Sequence, residues 1–199
     1  MKRLVIVVDT QKDFMAADGA LSVAGADALI APMQAWLRAL DAADTAGVLL
    51  TFDTHVPEVY AGSAEAEAFP LHCVRGSDGW KNVLEVALLD PRIPAWRIEK
   101  GVFDMWAEDG LLIEDARDPD ADEVPRESFF ERLKAQGVTD VSVIGVAADY
   151  CVRWAIEGLA ARGFRVLVPE GLTRGIDRQI RTVAKDDFAR LPVLVTDDG

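Results

Sequence analysis

One cysteine stands where an apolar strand hands over to a helix. The stretch is GVAADYC, residues 145–151, preceded by VSVI and followed by VRWAIEGLAARG. A thiol over the first turn of a helix meets unpaired backbone N–H groups, which favour its thiolate and make it a nucleophile. Packing alone would also place a cysteine there, because a free cysteine is a small buried hydrophobe. What decides between the two is the chemistry the rest of the chain can bring to Cys151.

The chain has two histidines, His55 and His72, so a Cys–His pair would have to use one of them. Asp53 and His55 stand two residues apart just beyond a strand, and alternate residues of an extended segment point the same way. They can share a metal ion, with His72 closing the site and Glu65 or Glu67 adding an oxygen ligand. If the histidines bind metal, Lys100 and Asp9 are left to activate the thiol. Taken singly, each has an ordinary reading: an unrelated loop pair, a surface lysine, a capping aspartate. Together they predict a cysteine flanked by a cation that favours the thiolate and a carboxylate that moves protons. Cys73 reads as a buried neighbour of His72. Trp36 and Trp154 read as core, and Gln11 and Asp13 as residues that stabilise the first loop.

These residues need elements to position them. Apolar runs recur as RLVIVVD, GVLLTFD, IPAWRIEK, VSVIGV, FRVLVPE and LPVLVTD. Helical patterns lie between most of them. One runs from Ala26 to a stop at Gly47, another ends at Gly137, a third runs from Cys151 to Gly163, and a fourth covers 175–190. Continuous apolar strands alternating with helices predict an α/β fold: a six-stranded parallel sheet in a three-layer α/β/α domain spanning 1–199. In such folds chemistry gathers beyond the carboxyl ends of the strands. Those ends carry Asp9, Asp53, Lys100 and the GVAADYC loop. Residues 54–92 form a long connection holding both histidines. Residues 107–125, acidic and proline-containing, predict a surface excursion.

The net charge of −13 argues against a nucleic-acid partner. No apolar run is long enough to span a membrane, and the short apolar stretch Leu4–Val8 reads as a first strand of a cytoplasmic protein. Two cysteines are too few for a disulfide framework.

VVDTQKDF, DTH, FPLHCVRGSDGW, EKGVFDMW and IGVAADYCV follow one another in an order that resembles the isochorismatase-like cysteine hydrolases, and among them the nicotinamidase branch. The resemblance covers residues 3–170 well. It implies an Asp9–Lys100–Cys151 triad, an oxyanion hole from the N–H groups of Ala147 and Cys151, and a cis peptide at Val146–Ala147. It also implies one divalent metal ion (zinc, iron or manganese) on Asp53, His55, Glu65 and His72, with Glu65 favoured over Glu67. Phe14, Phe69 and Val146 would line the substrate site. The implied activity is hydrolysis of a small amide, nicotinamide first, through a thioester on Cys151, in a homo-oligomer. An isochorismatase-type enzyme, another small-amide hydrolase of the same family and a catalytically inert binding member are the alternatives. The chain departs from the branch in lacking a third histidine after DTH, and in having Phe69 for the usual tryptophan and Ala148 for the usual threonine.

Overall fold

Alternation along the first strand builds the domain. In the computed structural model, which describes residues 2–197, β1 spans Arg3–Val8. Leu4, Ile6 and Val8 face one hydrophobic cluster, and Val5 and Val7 face the other. Both faces are buried, so the strand reads as an unbroken apolar run. It pairs in parallel with β2 (Thr45–Asp53) on one side and β6 (Asp140–Val146) on the other. Outward from β2 lies β3 (Ala95–Lys100), and outward from β6 lie β7 (Arg165–Pro169) and β9 (Val193–Thr196). These are the six parallel strands the sequence predicts, in the spatial order β3-β2-β1-β6-β7-β9.

Among the described residues the sheet has nine strands. The other three are β4 (Leu112–Asp115), β5 (Val124–Pro125) and β8 (Thr173–Arg174). β4 and β5 lie within the 107–125 segment and add to the β3 edge in antiparallel fashion. That corrects the expectation of a surface excursion. Ile113 is buried against the sheet, while the acidic residues around it stay at the surface.

One face is covered by α4 (Arg126–Ala135), α5 (Cys151–Ala161) and α6 (Ile180–Asp187), through residues such as Phe129, Phe130, Ile156 and Val183. The other is covered by α2 (Ile30–Arg38), whose Met33 and Leu37 reach the second cluster. Two single-turn helices, α1 (Lys12–Met15) and α3 (Pro57–Tyr60), follow β1 and β2. The helix expected to reach Gly47 ends at Arg38. Gly47 instead sits inside β2, with the Trp96 ring packed over its backbone. Trp36 and Trp154 are half-buried rather than core.

Candidate active site

Four neighbouring strands deliver four polar side chains to one rim. In spatial order, Lys100 ends β3, Asp53 ends β2, Asp9 follows β1, and Cys151 opens α5 beyond β6. All four are buried. β6 can approach β1 this closely because residue 145 is glycine. It has φ +121, and a Cβ there would lie 2.1 Å from the Val8 carbonyl oxygen.

The Lys100 ammonium is the hub. Its Nζ lies 2.8 Å from Asp9 Oδ2, 3.2 Å from Asp53 Oδ1 and 3.6 Å from Cys151 Sγ. Asp9 has a left-handed backbone, φ 47, which is uncommon outside glycine and tolerated best by Asn and Asp. Thr51 holds it there: the hydroxyl accepts the Asp9 N–H at 3.1 Å and donates to Oδ1. Oδ2 is thereby turned to Lys100. Gln11 performs the same service for Asp53. Its Oε1 accepts the Asp53 N–H at 2.8 Å, and its Nε2 donates to the Asp53 and Trp80 carbonyls at 2.7 and 3.0 Å.

The same charges act on the Cys151 thiol. Burial pushes the Cys151 thiol well above its ordinary range; Lys100 pulls it down, but Asp9 and Asp53 together push it up. Burial would likewise strip the Lys100 proton, but Asp53 and Asp9 hold it on, well above the usual lysine value.

Asp53 faces a second cluster with its other oxygen. Oδ2 lies 3.1 Å from His55 Nε2 and 3.0 Å from His72 Nε2. Glu65 Oε1 lies 3.7 and 3.4 Å from the same two nitrogens. Among the described residues, Asp53, His55, Glu65 and His72 are the one such group whose ligand atoms all lie within 4.8 Å of one another. Glu65 and Glu67 open and close a single 3-10 turn, which directs Glu65 inward (7% side-chain exposure) and leaves Glu67 exposed. Glu58 is exposed as well.

The donor set fits a divalent cation. Glu65 Oε1 is buried without a hydrogen-bond donor. His72 Nδ1 lies 2.8 Å from the Pro70 carbonyl, which can only accept. The ring proton is therefore on Nδ1, and Nε2 turns its lone pair to the cluster, the usual outer support of a metal-binding imidazole. Two imidazoles and two carboxylates suit zinc, iron or manganese. Without a cation, burial disfavours the His72 charge, yet Asp53 and Glu65 outweigh it and raise the imidazole to about 10. Asp53 is held far below the usual carboxylate range despite its burial, by Lys100, His55 and His72.

The remaining predicted residues fall around these two clusters. Phe14 packs edge-on to His72 at 5.1 Å. Phe69 meets Phe103 at 5.7 Å and Tyr150 at 5.4 Å, forming an aromatic wall. Val146 is fully enclosed in the core, and the Val146–Ala147 peptide is cis. Cys73 is fully buried, and that burial, with the nearby carboxylates, raises its thiol far above the ordinary value. No side chain caps the first turn of α5. The loop after Lys100 is clasped from outside: Arg126 donates to the carbonyls of Met105, Trp106 and Glu108, and Glu108 accepts the Gly101 N–H at 2.7 Å. A cleft of about 220 Å³ opens beside His55 and Lys100, lined also by Val59, Tyr60 and Ser63.

Thr51, Arg126 and the Asp149 contacts described below escape the sequence reading. Their partners lie tens of residues away, and no local pattern marks them. Gln11 carried a local signal, its place in VVDTQKDF, but not its function as a clamp on Asp53.

Comparison with known proteins places the chain as a whole. A family model described as the isochorismatase domain matches residues 3–197. A nicotinamidase/pyrazinamidase of Mycobacterium tuberculosis is 30% identical over 189 residues, covering 94% of both chains. Among solved structures, PnC1 from L. infantum in complex with nicotinate is 27% identical with a TM-score of 0.74, covering 98% of this chain and 92% of that one. The pyrazinamidase of Pyrococcus horikoshii in complex with zinc shares the fold, with a TM-score of 0.71 at 24% identity over 98% of this chain and 99% of that one.

Proposed function

The chain belongs to the isochorismatase family, and from that premise we propose that it is a metal-containing cysteine amidohydrolase that converts a small carboxamide to its acid and ammonia. The observation that carries the reading is Lys100, set between the Asp9 carboxylate and the Cys151 sulfur and in contact with Asp53 of the metal-type cluster. Asp9 takes the thiol proton as Cys151 attacks the amide carbon, so the thiolate forms only as it reacts. The N–H groups of Ala147 and Cys151 receive the developing oxyanion. Asp9 returns the proton to the leaving amine, ammonia departs, and a thioester remains on Cys151. Water then adds to the thioester carbon, Asp9 accepting its proton, and the acid leaves as the thiol re-forms. Lys100 pairs with Asp9 and stands between it and Asp53.

Asp53, His55, Glu65 and His72 would hold one divalent ion, which supplies Lewis acidity for a ring nitrogen or for a bound water. Phe14, Phe69, Phe103 and Tyr150 provide flat walls for an aromatic ring. Nicotinamide is the first substrate to try, because a relative named for that activity and another solved with nicotinate each match nearly the whole chain. The test is steady-state ammonia release over a panel of aromatic and aliphatic carboxamides, run on protein of measured metal content. Turnover of nicotinamide or pyrazinamide above the aliphatic amides is expected. Metal-loaded protein that releases ammonia from no amide would overturn the reading in favour of an inert binding member.

A further inference from the structure

Between the two residues of the proposed oxyanion hole stands Asp149, a buried carboxylate with no part in the chemistry above. It touches neither Lys100 nor the metal-type cluster. Its oxygens reach across to a segment 27 to 29 residues later in the chain. Oδ1 accepts the Ile176 N–H at 2.9 Å, and Oδ2 accepts the N–H groups of Asp177 at 2.7 Å and Arg178 at 2.8 Å. Three consecutive backbone donors on one carboxylate form a closed anion nest, each bond strengthened by the charge.

The segment that supplies those donors is itself fastened to the same loop. Thr173 and Arg174 form β8 against Gly145 and Val146. The Ala148 N–H donates to the Arg174 carbonyl at 2.8 Å. Gln179 accepts the Gly175 N–H through Oε1 and donates to the Gly175 carbonyl through Nε2. Gly175 has no room for a side chain, since a Cβ would fall 1.9 Å from the Arg178 carbonyl oxygen and 3.0 Å from Asp149 Oδ1. Residues 173–179 thus run along the turn from Gly145 to Cys151 as a strap, and Asp149 is the peg on which it closes.

We propose that Asp149 is a positioning residue for the oxyanion hole: by closing residues 175–178 onto the turn, it fixes the relative orientation of the Ala147 and Cys151 N–H groups. The inference rests on the proposed cysteine chemistry. It predicts a loss specific to the oxyanion, since donors that are slightly misaligned still admit the planar substrate but no longer meet the tetrahedral oxygen. A carboxylate that served stability alone would lower the melting temperature and leave that discrimination intact.

The test uses Asp149→Asn, which keeps the shape but leaves one oxygen for the three donors, and Asp149→Ser as a smaller second variant. Each metal-loaded protein is assayed three ways. Amide turnover should show kcat lowered on the order of 10²-fold, as for loss of an oxyanion donor, with KM changed less than about threefold. Pyridine-3-carbaldehyde reports the hole without turnover: the Cys151 sulfur bonds the carbonyl carbon, the C=O π pair moves to oxygen, and the thiol proton passes to Asp9. Its affinity should fall by a factor similar to kcat. Iodoacetamide alkylation of Cys151, a displacement at carbon with no oxyanion, should keep its rate within about twofold. Aldehyde affinity and kcat equal to the parent's in both variants would overturn the inference, and so would an equal loss in alkylation. A parent that binds the aldehyde but hydrolyses no amide would sink the amidase reading and leave the inference to be judged on the aldehyde arm. A parent that binds no aldehyde would sink the inference.

Discussion

The two halves of the site are built in different ways. Asp9, Asp53, Lys100 and Cys151 stand at the ends of four adjacent strands, so their spacing is set by the hydrogen-bond ladder of the sheet and by the registers of β1, β2, β3 and β6. Glu65 and His72 sit on the long connection after β2, which meets the sheet only through an isolated bridge between Val74 and His55. They are held by single turns and isolated contacts: the 3-10 turn at Glu65–Glu67, the His72–Pro70 hydrogen bond, and the Tyr60 hydroxyl donating to the carbonyls of Phe69 and Pro70. Strand-borne groups keep their geometry when a neighbour is changed. Loop-borne groups depend on what they bind, so a cation held by Glu65 and His72 would also order the loop that carries them.

The contrast can be broken at several points. The largest effect belongs to the strand-borne half. Cys151→Ala should abolish ammonia release while the melting temperature stays close to the parent's, and mass mapping should find iodoacetamide on Cys151 before Cys73. Labelling of Cys73 first, with loss of activity, would move the nucleophile. Lys100→Met should come next, with kcat lowered roughly 10³-fold, by analogy with removal of one member of a catalytic triad. It should also destabilise by about 3–5 kcal/mol, the cost of a broken buried ion pair, because Asp9 and Asp53 would then face one another without a cation. Lys100→Arg should fail as well, since a planar guanidinium cannot stand between three partners set for a compact ammonium. Near-normal kcat in both variants would remove Lys100 from the mechanism.

The loop-borne half should fail differently. Glu65→Ala is expected to purify with little metal by elemental analysis, and Glu67→Ala with the parent's content. Loss of metal only in the Glu67 variant would reverse the assignment.

The smallest effect is a pH dependence. In metal-free protein the His72 imidazole is raised from 6.5 to about 10, because Asp53 and Glu65 outweigh its burial. A group whose pKa is higher folded than unfolded contributes stability that is complete below the unfolded value. That contribution is lost as pH rises through the folded value. The metal-free melting temperature should therefore fall between about pH 6.5 and 10, and bound cation should flatten the slope. An equal slope in both forms would separate His72 from the cation.

How much of this was legible follows the same division. Strand ends are read from apolar runs, and Asp9, Asp53, Lys100 and Cys151 were found that way. The choice between Glu65 and Glu67 was not legible from spacing, because an extended chain aims both alike; a 3-10 turn separates them. The sequence shows the lysine, the helix start and both carboxylates near the sulfur, but not the burial that pushes its thiol up. Residues 107–125 read as an excursion because acid and proline dominate them, whereas a single buried Ile113 suffices to dock β4. Gly47 read as a helix stop because nothing local announces that Trp96 will lie across it. Asp149 and its three donors are joined only by folding.

The antiparallel addition at the β3 edge has one more consequence. Without β4 and β5, the strand that carries Lys100 would be the outermost of the sheet, its free amides and carbonyls a template for any passing extended chain. β4 occupies that edge along Trp96–Ile98, and the two-residue β5 ends in Pro125, which has no N–H to offer a further strand. Addition of strands along Trp96–Ile98 is therefore capped by β4 and β5. Cutting out the acidic segment would leave the backbone groups of Trp96–Ile98 unpaired on the strand that carries Lys100.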